Sequence, residues 1–431
     1  MATLKAVRGT RDLLPPETAL WNRIETVARQ VFARYNFGEI RTPIFEDTSL
    51  FARSVGEETD IVSKEMYTWE DRARAQSEKA QSLTLRPENT AGVVRAYIEH
   101  KLGETGQLQK LYYIGPQFRR ERPQKGRYRQ FWQIGAEVIG PPSSGSESPL
   151  RDAEVLEMLA TLLDELAITG WTLELNSVGS AADRARYNEI LRAALIPLAP
   201  QMCADCQRRA VTNPLRVLDC KVPEDQPIIA TLPKITDSLD QESKDHFAAV
   251  TAALDAAGVS YTLNHRLVRG LDYYTRTTFE FTHGGLGAQN ALLGGGRYDG
   301  LSESIGGPKA PGIGFAIGLD RLVLTLQTKE ADQQAAPQIG KVDAYIAPLG
   351  ENLNAAALAL ARELRRAGLS VELGDGSFRL KKSFEAADKA ARRIVILGED
   401  ELQSGILTVK DFASGTQTKV PRAELAAFLA H

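Results

Sequence analysis

Residues Phe118–Phe131 read FRRERPQKGRYRQF, and six of these fourteen residues are arginine or lysine. The runs Leu111–Phe118 and Arg129–Ile139 on either side are mostly apolar, which predicts two strands joined by a basic loop. So many cations on one hairpin are costly unless an anion offsets them, and guanidinium groups match the geometry of phosphate oxygens. We therefore expect the hairpin to bind an anion, with a solvated charged turn as the alternative interpretation.

The sequence around this hairpin predicts an α+β core with an antiparallel-rich sheet. A helix begins after Pro15-Pro16, because Leu20, Ile24 and Val31 recur at helical spacing. Residues from Ser180 to about Ala257 are polar and mostly helical in pattern, as expected of a helical insertion. The remaining predicted strands are Phe37–Phe45, Leu173–Asn176, Tyr261–Leu267, Thr277–Thr282, Ala291–Gly294 and Ile313–Ile317, and the remaining predicted helices are one from near Asp152 and one at Leu319–Leu326.

A second domain is predicted beyond a polar linker at residues 331–340. From residue 341 onward short strands alternate with helices, which favours a three-layer α/β domain at residues 341–431 with a parallel or mixed sheet. Residues 1–330 are then the catalytic domain, and residues 180–257 are the insertion within it.

Composition narrows the class of protein. Apolar residues make up 43% and charged residues 25% of the chain, as in soluble globular proteins. No apolar run approaches the roughly 18 residues of a transmembrane helix, and the first residues lack the apolar stretch of a secretory signal. A net charge of −3 means that any RNA contact must come from local basic patches. We expect a cytoplasmic protein without a membrane partner.

The basic hairpin resembles the second signature motif of class II aminoacyl-tRNA synthetases, in the form found in bacterial histidyl enzymes. The resemblance implies that Arg119 binds the α-phosphate of ATP and the carboxylate of the amino acid. It also implies ATP contacts by Glu121, Arg127 and Phe131. The residues implied to meet the acceptor end of the tRNA are Arg122 and Gln124.

A glycine-rich segment, GIGFAIGLDR at Gly312–Arg321, resembles the third motif of the same class. Taken alone, its Gly-x-Gly is better explained by close packing, and its spacing is not that of a dinucleotide-binding fingerprint. The resemblance implies that Arg321 binds the γ-phosphate of ATP and that Phe315 and Ile317 line the adenine side. Pro43 matches the dimer-interface proline of the first motif, although an edge-strand proline without a role is an equal reading.

Two further segments resemble motifs of histidyl synthetases: LVRGLDYYT at Leu267–Thr275 and GGGRYDGL at Gly294–Leu301. The resemblance implies that Arg269 is catalytic together with Arg119, offsetting the charge that builds on the phosphoryl oxygens. A structural ion pair between Arg269 and Asp272 is the alternative.

Histidine recognition is assigned to a third set of residues. TLRPENTAG at Thr84–Gly92 resembles the substrate loop of the family, in which Glu88 and Thr90 would hold the α-amine. Asn89 departs from that pattern, since many bacterial relatives carry glycine there. Period two in the second hairpin strand puts Gln133, Gly135 and Glu137 on one face. Glu137 and Tyr274 would bracket the imidazole, and Gln133 and Tyr273 complete the set.

Three cysteines, Cys203, Cys206 and Cys220, invite a zinc interpretation. A closed structural site needs four ligands, and no histidine is close in sequence. We expect two surface thiols and one core thiol without bound zinc, and no protein-bound catalytic metal. Mg²⁺ that accompanies ATP is the one cofactor expected.

The last domain resembles the anticodon-binding domain shared by histidyl, threonyl, prolyl and glycyl enzymes. Its basic pairs Arg365–Arg366, Lys381–Lys382 and Arg392–Arg393 could contact phosphates, or they could be solvated helix faces. Taken together, these resemblances imply a homodimeric ligase that activates L-histidine with ATP and transfers it to tRNA(His). The alternatives are a histidine-binding regulatory paralogue of ATP phosphoribosyltransferase and a threonyl or prolyl synthetase.

Overall fold

The computed structural model describes residues 3–56, 59, 61–71, 80–124, 126–268, 273–286, 290–332 and 341–430. The chain divides into two compact units, Met1–Ala336 and Pro337–His431. In the described ranges, no helix combines the length and the apolar character that crossing a membrane requires.

The first unit is built on an eight-stranded sheet with the order β1-β5-β6-β11-β10-β9-β7-β8. The strands of this unit are β1 Gly38–Glu39, β2 Phe45–Asp47, β3 Tyr67–Asp71, β4 Gln81–Leu85, β5 Gln109–Phe118, β6 Gln130–Ile139, β7 Trp171–Ser177, β8 Thr262–Leu263, β9 Thr275–His283, β10 Ala291–Arg297 and β11 Gly312–Gly318. The two edge pairs, β1 with β5 and β7 with β8, are parallel, and the inner pairs are antiparallel. Strands β2, β4 and β3 form a separate antiparallel sheet.

Helices cover one face of the large sheet. The helices of the first unit are α1 Glu17–Arg34, α2 Thr48–Val55, α3 Thr90–Glu99, α4 Pro149–Glu165, α5 Ala181–Leu195, α6 Ala204–Thr212, α7 Gln226–Ala230, α8 Gln241–Ala257, α9 Leu301–Ser304 and α10 Leu319–Asp332. The apolar faces of α1, α4 and α10 share one core with Ile134, Ala136 and Val138 of β6. Side chains alternate across a strand, so the intervening residues of β6 face the opposite side, where the candidate site lies.

Residues 181–257 contain only helices and turns, and they have a separate hydrophobic core around Tyr187, Leu191 and Cys206. Helix α5 begins with a capping box, in which Ser180 and Asp183 each accept a backbone N–H of the other. Such a box satisfies two N–H groups that would otherwise lack a partner at the helix start.

The second unit has three layers. Its elements are β12 Val342–Pro348, α11 Asn354–Arg366, β13 Val371–Leu373, α12 Leu380–Ala390, β14 Ala391–Leu397, α13 Glu399–Ser404, β15 Ile406–Asp411, β16 Gln417–Pro421 and α14 Arg422–Ala430. The sheet order is β13-β12-β14-β15-β16, parallel among the first three strands and antiparallel beyond them. Helices α11 and α14 pack against Ile346 and Val395, whereas α12 packs on the other face against Tyr345 and Ile394.

Most predicted elements of the first unit are confirmed, including both hairpin strands and the α+β class. The single strand predicted at Phe37–Phe45 was wrong, because β1 joins the large sheet and β2 joins the small one. The Tyr261–Leu267 prediction was too long: only Thr262–Leu263 pair with β7, and Asn264 then turns the chain. Strand β16 was missed because its exposed residues are mostly polar.

A buried ion pair joins four elements behind the large sheet. The side chains of Arg297 on β10 and Asp152 on α4 are both fully buried, with Nη2 and Oδ1 2.5 Å apart. Asp152 also accepts the Thr277 hydroxyl of β9 at 2.6 Å and contacts His246 of α8 at 2.9 Å. These contacts fix α4 and α8 against β9 and β10.

Replacing Arg297 with methionine should destabilise the first unit by about 3–5 kcal/mol, because Asp152 would stay buried without its cation. Denaturant unfolding followed by circular dichroism measures the change. The matched control is Arg29→Met on α1, whose partner Glu25 is 3.1 Å away at the surface and whose loss should cost under about 1 kcal/mol. If the free energy of unfolding fell by the same small amount in both variants, the role assigned to the buried pair would be contradicted.

Candidate active site

Glu137 lies at the centre of the open face of the large sheet and is fully buried. The hydroxyl of Thr90 donates to Oε1 at 2.7 Å, and the hydroxyl of Tyr298 donates to Oε2 at 2.8 Å. Gly314 is its neighbour on β11, and a Cβ there would lie 1.7 Å from Oε2. The glycine-rich strand therefore provides the space that this carboxylate occupies.

Burial also shifts the protonation of the site. Desolvation raises the pKa of Glu137 to about 8, against the lowering effect of the two hydroxyl donors. Desolvation likewise raises the pKa of Glu88, whose oxygens accept the backbone N–H groups of Thr90 at 2.7 Å and Ala91 at 3.1 Å. Two buried carboxylates close together form an acidic end that favours a ligand rich in N–H groups.

Tyrosines surround this acidic end. A Cβ at Gly135 would lie 2.3 Å from the hydroxyl of Tyr113, and a Cβ at Gly296 would lie 2.7 Å from Cδ1 of Tyr274. The rings of Tyr273 and Tyr274 are 4.8 Å apart between centroids. The glycines of β6 and β10 thus admit aromatic rings where any other residue would displace them.

Some buried polar atoms of this face have no hydrogen-bond partner among the residues that the structure describes. They include Oε1 of Gln133, the hydroxyl of Tyr113 and both amide atoms of Gln117, a residue that is fully buried. Gln117 shares the face of β5 and β6 that also carries Gln133 and Phe131. Because an unpaired buried polar group costs free energy, these atoms indicate where polar groups of a ligand would bind.

Arg119 marks the boundary between the acidic end and the basic hairpin. It directly follows β5, its Nε donates to the carbonyl of Pro87 at 2.9 Å, and its guanidinium lies 5.3 Å from the ring centre of Phe131. Its positive charge acts on Glu88, opposing the rise in the pKa of that carboxyl. The site therefore changes from two buried carboxyl groups to a guanidinium group over a short distance.

The hairpin loop is closed by local contacts. Arg127 and Glu121 form an ion pair at 3.1 Å, and the backbones of Gln124 and Arg127 bond to each other around Gly126. Arg122 and Gln124 are exposed, so both are accessible to a large partner.

The start of α10 is tied to this hairpin by the N-terminal segment. Arg11 pairs with Asp320 at 2.9 Å and lies 4.8 Å from the ring centre of Tyr128. Arg321, which follows Asp320 in the sequence, donates to the carbonyl of Ala291 at 2.5 Å. Arg11 thereby fixes the position of the hairpin relative to the helix that begins beside Arg321.

The structure brings together Glu88, Thr90, Arg119, Gln133 and Glu137 as the sequence predicted, with Tyr273 and Tyr274 beside them. Arg269 lies outside the described residues, as does Asp272. Tyr298, Tyr113 and Gln117 were missed. Period two along β5 could have found the last two, whereas Tyr298 gave no signal beyond its place after a glycine-rich strand.

Two expectations were wrong. Phe315 and Ile317 do not line the site, because they alternate with Gly314 and Gly318 and face the core beneath α1 and α10. The cysteines were expected as two surface thiols and one core thiol, but Cys206 and Cys220 are buried and Cys203 is half-buried. The fourth potential ligand that sequence counting did not find is Asp225, which lies with the three thiols.

The family model described as Histidyl-tRNA synthetase matches residues 9–322, and the one described as Anticodon binding domain matches residues 343–431. A histidine–tRNA ligase of Koribacter versatilis (strain Ellin345) is 72% identical, covering 99% of this chain and 96% of the relative. A histidine–tRNA ligase of Solibacter usitatus (strain Ellin6076) is 56% identical and covers 99% of both.

Among solved structures, the apo S. aureus histidyl-tRNA synthetase matches with a TM-score of 0.80 and 37% identity, covering 100% of both chains. This chain belongs to the histidyl-tRNA synthetase family, within the class II aminoacyl-tRNA synthetases.

Gly314→Ala should destabilise the first unit by about 1–3 kcal/mol, because the added methyl group would overlap the Glu137 carboxyl and would also lie 2.7 Å from the backbone oxygen of Ala136, so that only the first part of the cost depends on Glu137. Gly318→Ala on the same strand is the matched control, since its Cβ would meet nothing nearer than 3.8 Å. Denaturant unfolding of both variants, with and without Glu137→Ala, measures the coupling energy between each added methyl group and the Glu137 side chain. The same cost for Gly314→Ala in the presence and absence of the Glu137 side chain would refute the steric explanation.

The raised pKa of Glu137 predicts a pH dependence of stability. The unfolded chain loses this proton near pH 4.5, whereas the folded chain keeps it up to about pH 8. Stability relative to Glu137→Gln should therefore fall as pH rises through that window, by at most about 1.4 kcal/mol per pH unit. Denaturant unfolding of both proteins at pH 5.5, 6.5 and 7.5 tests this. A difference that does not change with pH would mean that Glu137 ionises normally.

Proposed function

We propose that this protein activates L-histidine with ATP and transfers the histidyl group to the 3′ end of tRNA(His). The observation that carries the proposal is the polarity of the open sheet face, with Glu137 and Glu88 at one end and Arg119 with the basic hairpin at the other. Histidyl-adenylate has the complementary polarity, because its amine and imidazole present N–H groups and its phosphate is an anion.

In this proposal Glu88 and Thr90 hold the α-amine of histidine, and Gln133 and Tyr273 complete the pocket. Glu137 and Tyr274 bracket the imidazole. Each carboxyl oxygen of Glu137 accepts one hydroxyl within the described chain, and the acceptor capacity that remains on the carboxyl is available to an imidazole N–H. An amino acid without ring nitrogens would leave these buried groups unpaired and so bind poorly.

The first step forms a bond between a carboxylate oxygen of histidine and the α-phosphorus of ATP. The bond from that phosphorus to the bridging oxygen breaks, and pyrophosphate leaves with the electron pair. Arg119 and Arg269 would offset the charge on the phosphoryl oxygens, which is worth about 10²–10³ in rate for such groups. Glu121, Arg127, Phe131 and Arg321 would hold ATP, which brings Mg²⁺ on its own phosphates as part of the substrate.

In the second step the terminal ribose hydroxyl of the tRNA attacks the carbonyl carbon of histidyl-adenylate. The bond to the phosphate oxygen breaks, AMP leaves, and the hydroxyl proton passes to solvent. No protein nucleophile takes part, so positioning supplies much of the acceleration. Arg122 and Gln124, exposed on the hairpin loop, would contact the acceptor end of the tRNA.

For the domains we propose a catalytic domain at residues 1–330 with a helical insertion at about 180–257, a linker at 331–340 and an anticodon-binding domain at 341–431. Among the basic pairs of the last domain, Arg393 pairs with Asp411 at 2.9 Å and Arg365 donates to Val371. The exposed Lys381 and Lys382 are therefore better candidates for RNA phosphates.

We further propose a cytoplasmic homodimer. The small sheet exposes Phe45 and Trp69, 52% and 40% accessible, with ring centroids 6.0 Å apart. Pro43, the residue that matches the family's interface proline, lies two residues before Phe45. Phe45 lies on β2 and Trp69 on β3, the two edge strands of this sheet, and an exposed aromatic pair of this kind is suited to pairing with a second copy.

Amino-acid-dependent ATP–pyrophosphate exchange tests the adenylation step, with all twenty amino acids and the wild-type chain. Histidine alone should support exchange. Arg119→Ala and Arg269→Ala should each lower it about 10²–10³-fold. Arg120→Ala is the matched control, because Arg120 follows Arg119 in the sequence but is exposed, and this variant should retain most of the activity.

Exchange with another amino acid, or none with any amino acid despite measurable histidine binding, would overturn the proposed activity. The second outcome is the one expected of a regulatory histidine-binding protein.

The dimer is tested by light scattering after size-exclusion chromatography. Phe45→Asp should convert the dimer to a monomer, because a charge would be desolvated at the interface. Ile190→Asp on α5, where Ile190 is 41% accessible, should leave the mass unchanged. A monomeric wild-type protein, or a dimer in both variants, would contradict this interface.

A further inference from the structure

The helical segment at residues 181–257 brings three thiols and a carboxylate to one point. The ligating atoms of Cys203, Cys206, Cys220 and Asp225 all lie within 4.8 Å of one another. Sγ of Cys203 and Sγ of Cys220 are 3.9 Å apart, and Sγ of Cys220 is 3.2 Å from Oδ2 of Asp225. None of these four residues has a role in the adenylation mechanism proposed above.

The Cys203–Cys220 and Cys220–Asp225 distances are close to those between the ligands of one tetrahedral ion. With a zinc–sulfur distance of about 2.3 Å, two sulfurs of such a site are about 3.8 Å apart, and a sulfur and an oxygen are about 3.5 Å apart. A disulfide, in contrast, needs a sulfur–sulfur distance of about 2.05 Å. The separation between Cys203 and Cys220 fits the first arrangement and excludes the second for this pair.

The backbone around the cluster orients its groups inward. Cys203 is the residue before α6 and Cys206 lies in its first turn, whereas Cys220 and Asp225 lie on the chain between α6 and α7. The backbone N–H of Cys203 donates to Oδ1 of Asp225 at 3.0 Å, which leaves Oδ2 toward the sulfurs. The backbone N–H of Val222 donates to Sγ of Cys220 at 3.4 Å, and such outer contacts support metal ligands.

The carboxylate of Asp225 is the unusual group in this cluster, because it is buried. Asp225 is 1% accessible, yet the described part of the chain gives it no ion pair, only the thiol and backbone contacts. A buried carboxylate without a cation is costly, and a divalent ion among these four groups would offset it. Soft thiolates in a tetrahedral set select zinc over magnesium or calcium.

We propose that Cys203, Cys206, Cys220 and Asp225 bind one structural Zn²⁺ ion. The site is closed, because four protein ligands leave no position for water or substrate. It joins the start of α6 to the turn before α7 within the core of the helical segment. Its role is to hold that segment together, and it takes no part in the chemistry at Glu137 and Arg119.

The test uses the full-length reduced protein. Zinc content is measured after expression in zinc-containing medium and dialysis, and the stripped protein is titrated anaerobically with Co²⁺. We expect about one zinc per chain and the intense visible absorption of tetrahedral cobalt bound to thiolates. Cys206→Ser and Asp225→Asn should each weaken cobalt binding at least tenfold and change the spectrum. Asp219→Asn is the matched control, an acidic residue of the same turn that lies outside the cluster.

Stripping zinc from the wild type should also lower the unfolding temperature, and added zinc should restore it. Wild-type protein with three titratable thiols that neither retains zinc nor gives a tetrahedral cobalt spectrum would overturn the proposal. A cobalt spectrum that is the same in Asp225→Asn and in the wild type would exclude Asp225 as the fourth ligand. The wild-type titration remains decisive if a cysteine variant does not fold.

Discussion

A carboxylate buried at the centre of a sheet is the constraint on which the site depends. Glu137 can occupy that position because Gly314 leaves room for it and because Thr90 and Tyr298 each donate a hydroxyl to it. Burial disfavours the charged form of the carboxyl, so a partner that donates N–H groups is favoured in the space beside it. The glycines of β6, β10 and β11 are best understood as the space for Glu137 and the surrounding tyrosines.

The two faces of the large sheet have different roles: one packs against helices and stabilises the fold, and the other carries the candidate active site. On the helix-covered face the apolar residues of β6 and β11 pack under α1 and α10. On this same face Arg297 of β10 pairs with Asp152 of α4. On the open face the same strands present a polar surface that carries carboxyl groups at Glu137 and Glu88 and a positive charge at Arg119. Because side chains alternate along each strand, one set of strands serves both purposes. Family membership and this polarity together support histidine activation.

How far the sequence predicts the structure depends on the range of the interactions. The hairpin strands and the shared face of Gln133 and Glu137 were predictable, since both follow from local periodicity. Phe315 and Ile317 were assigned to the adenine side from the resemblance to the third motif. The alternation of side chains along β11 places both residues on the opposite face of the sheet. Tyr298 and Asp225 could not be found from spacing alone, because Tyr298 meets Glu137 across 161 residues and Asp225 meets the cysteines through a fold of short helices.

The central claim is that the buried carboxylate and the tyrosines beside it read the imidazole ring. The most direct measurement is calorimetric binding of histidine and of its two derivatives methylated on one or the other ring nitrogen. If Glu137 accepts one ring N–H and Tyr274 contacts the other nitrogen, both derivatives should bind at least about a hundredfold more weakly than histidine, because each methyl group removes a hydrogen bond and leaves a buried polar group unpaired. Equal affinity for histidine and both derivatives would show that these residues do not read the ring.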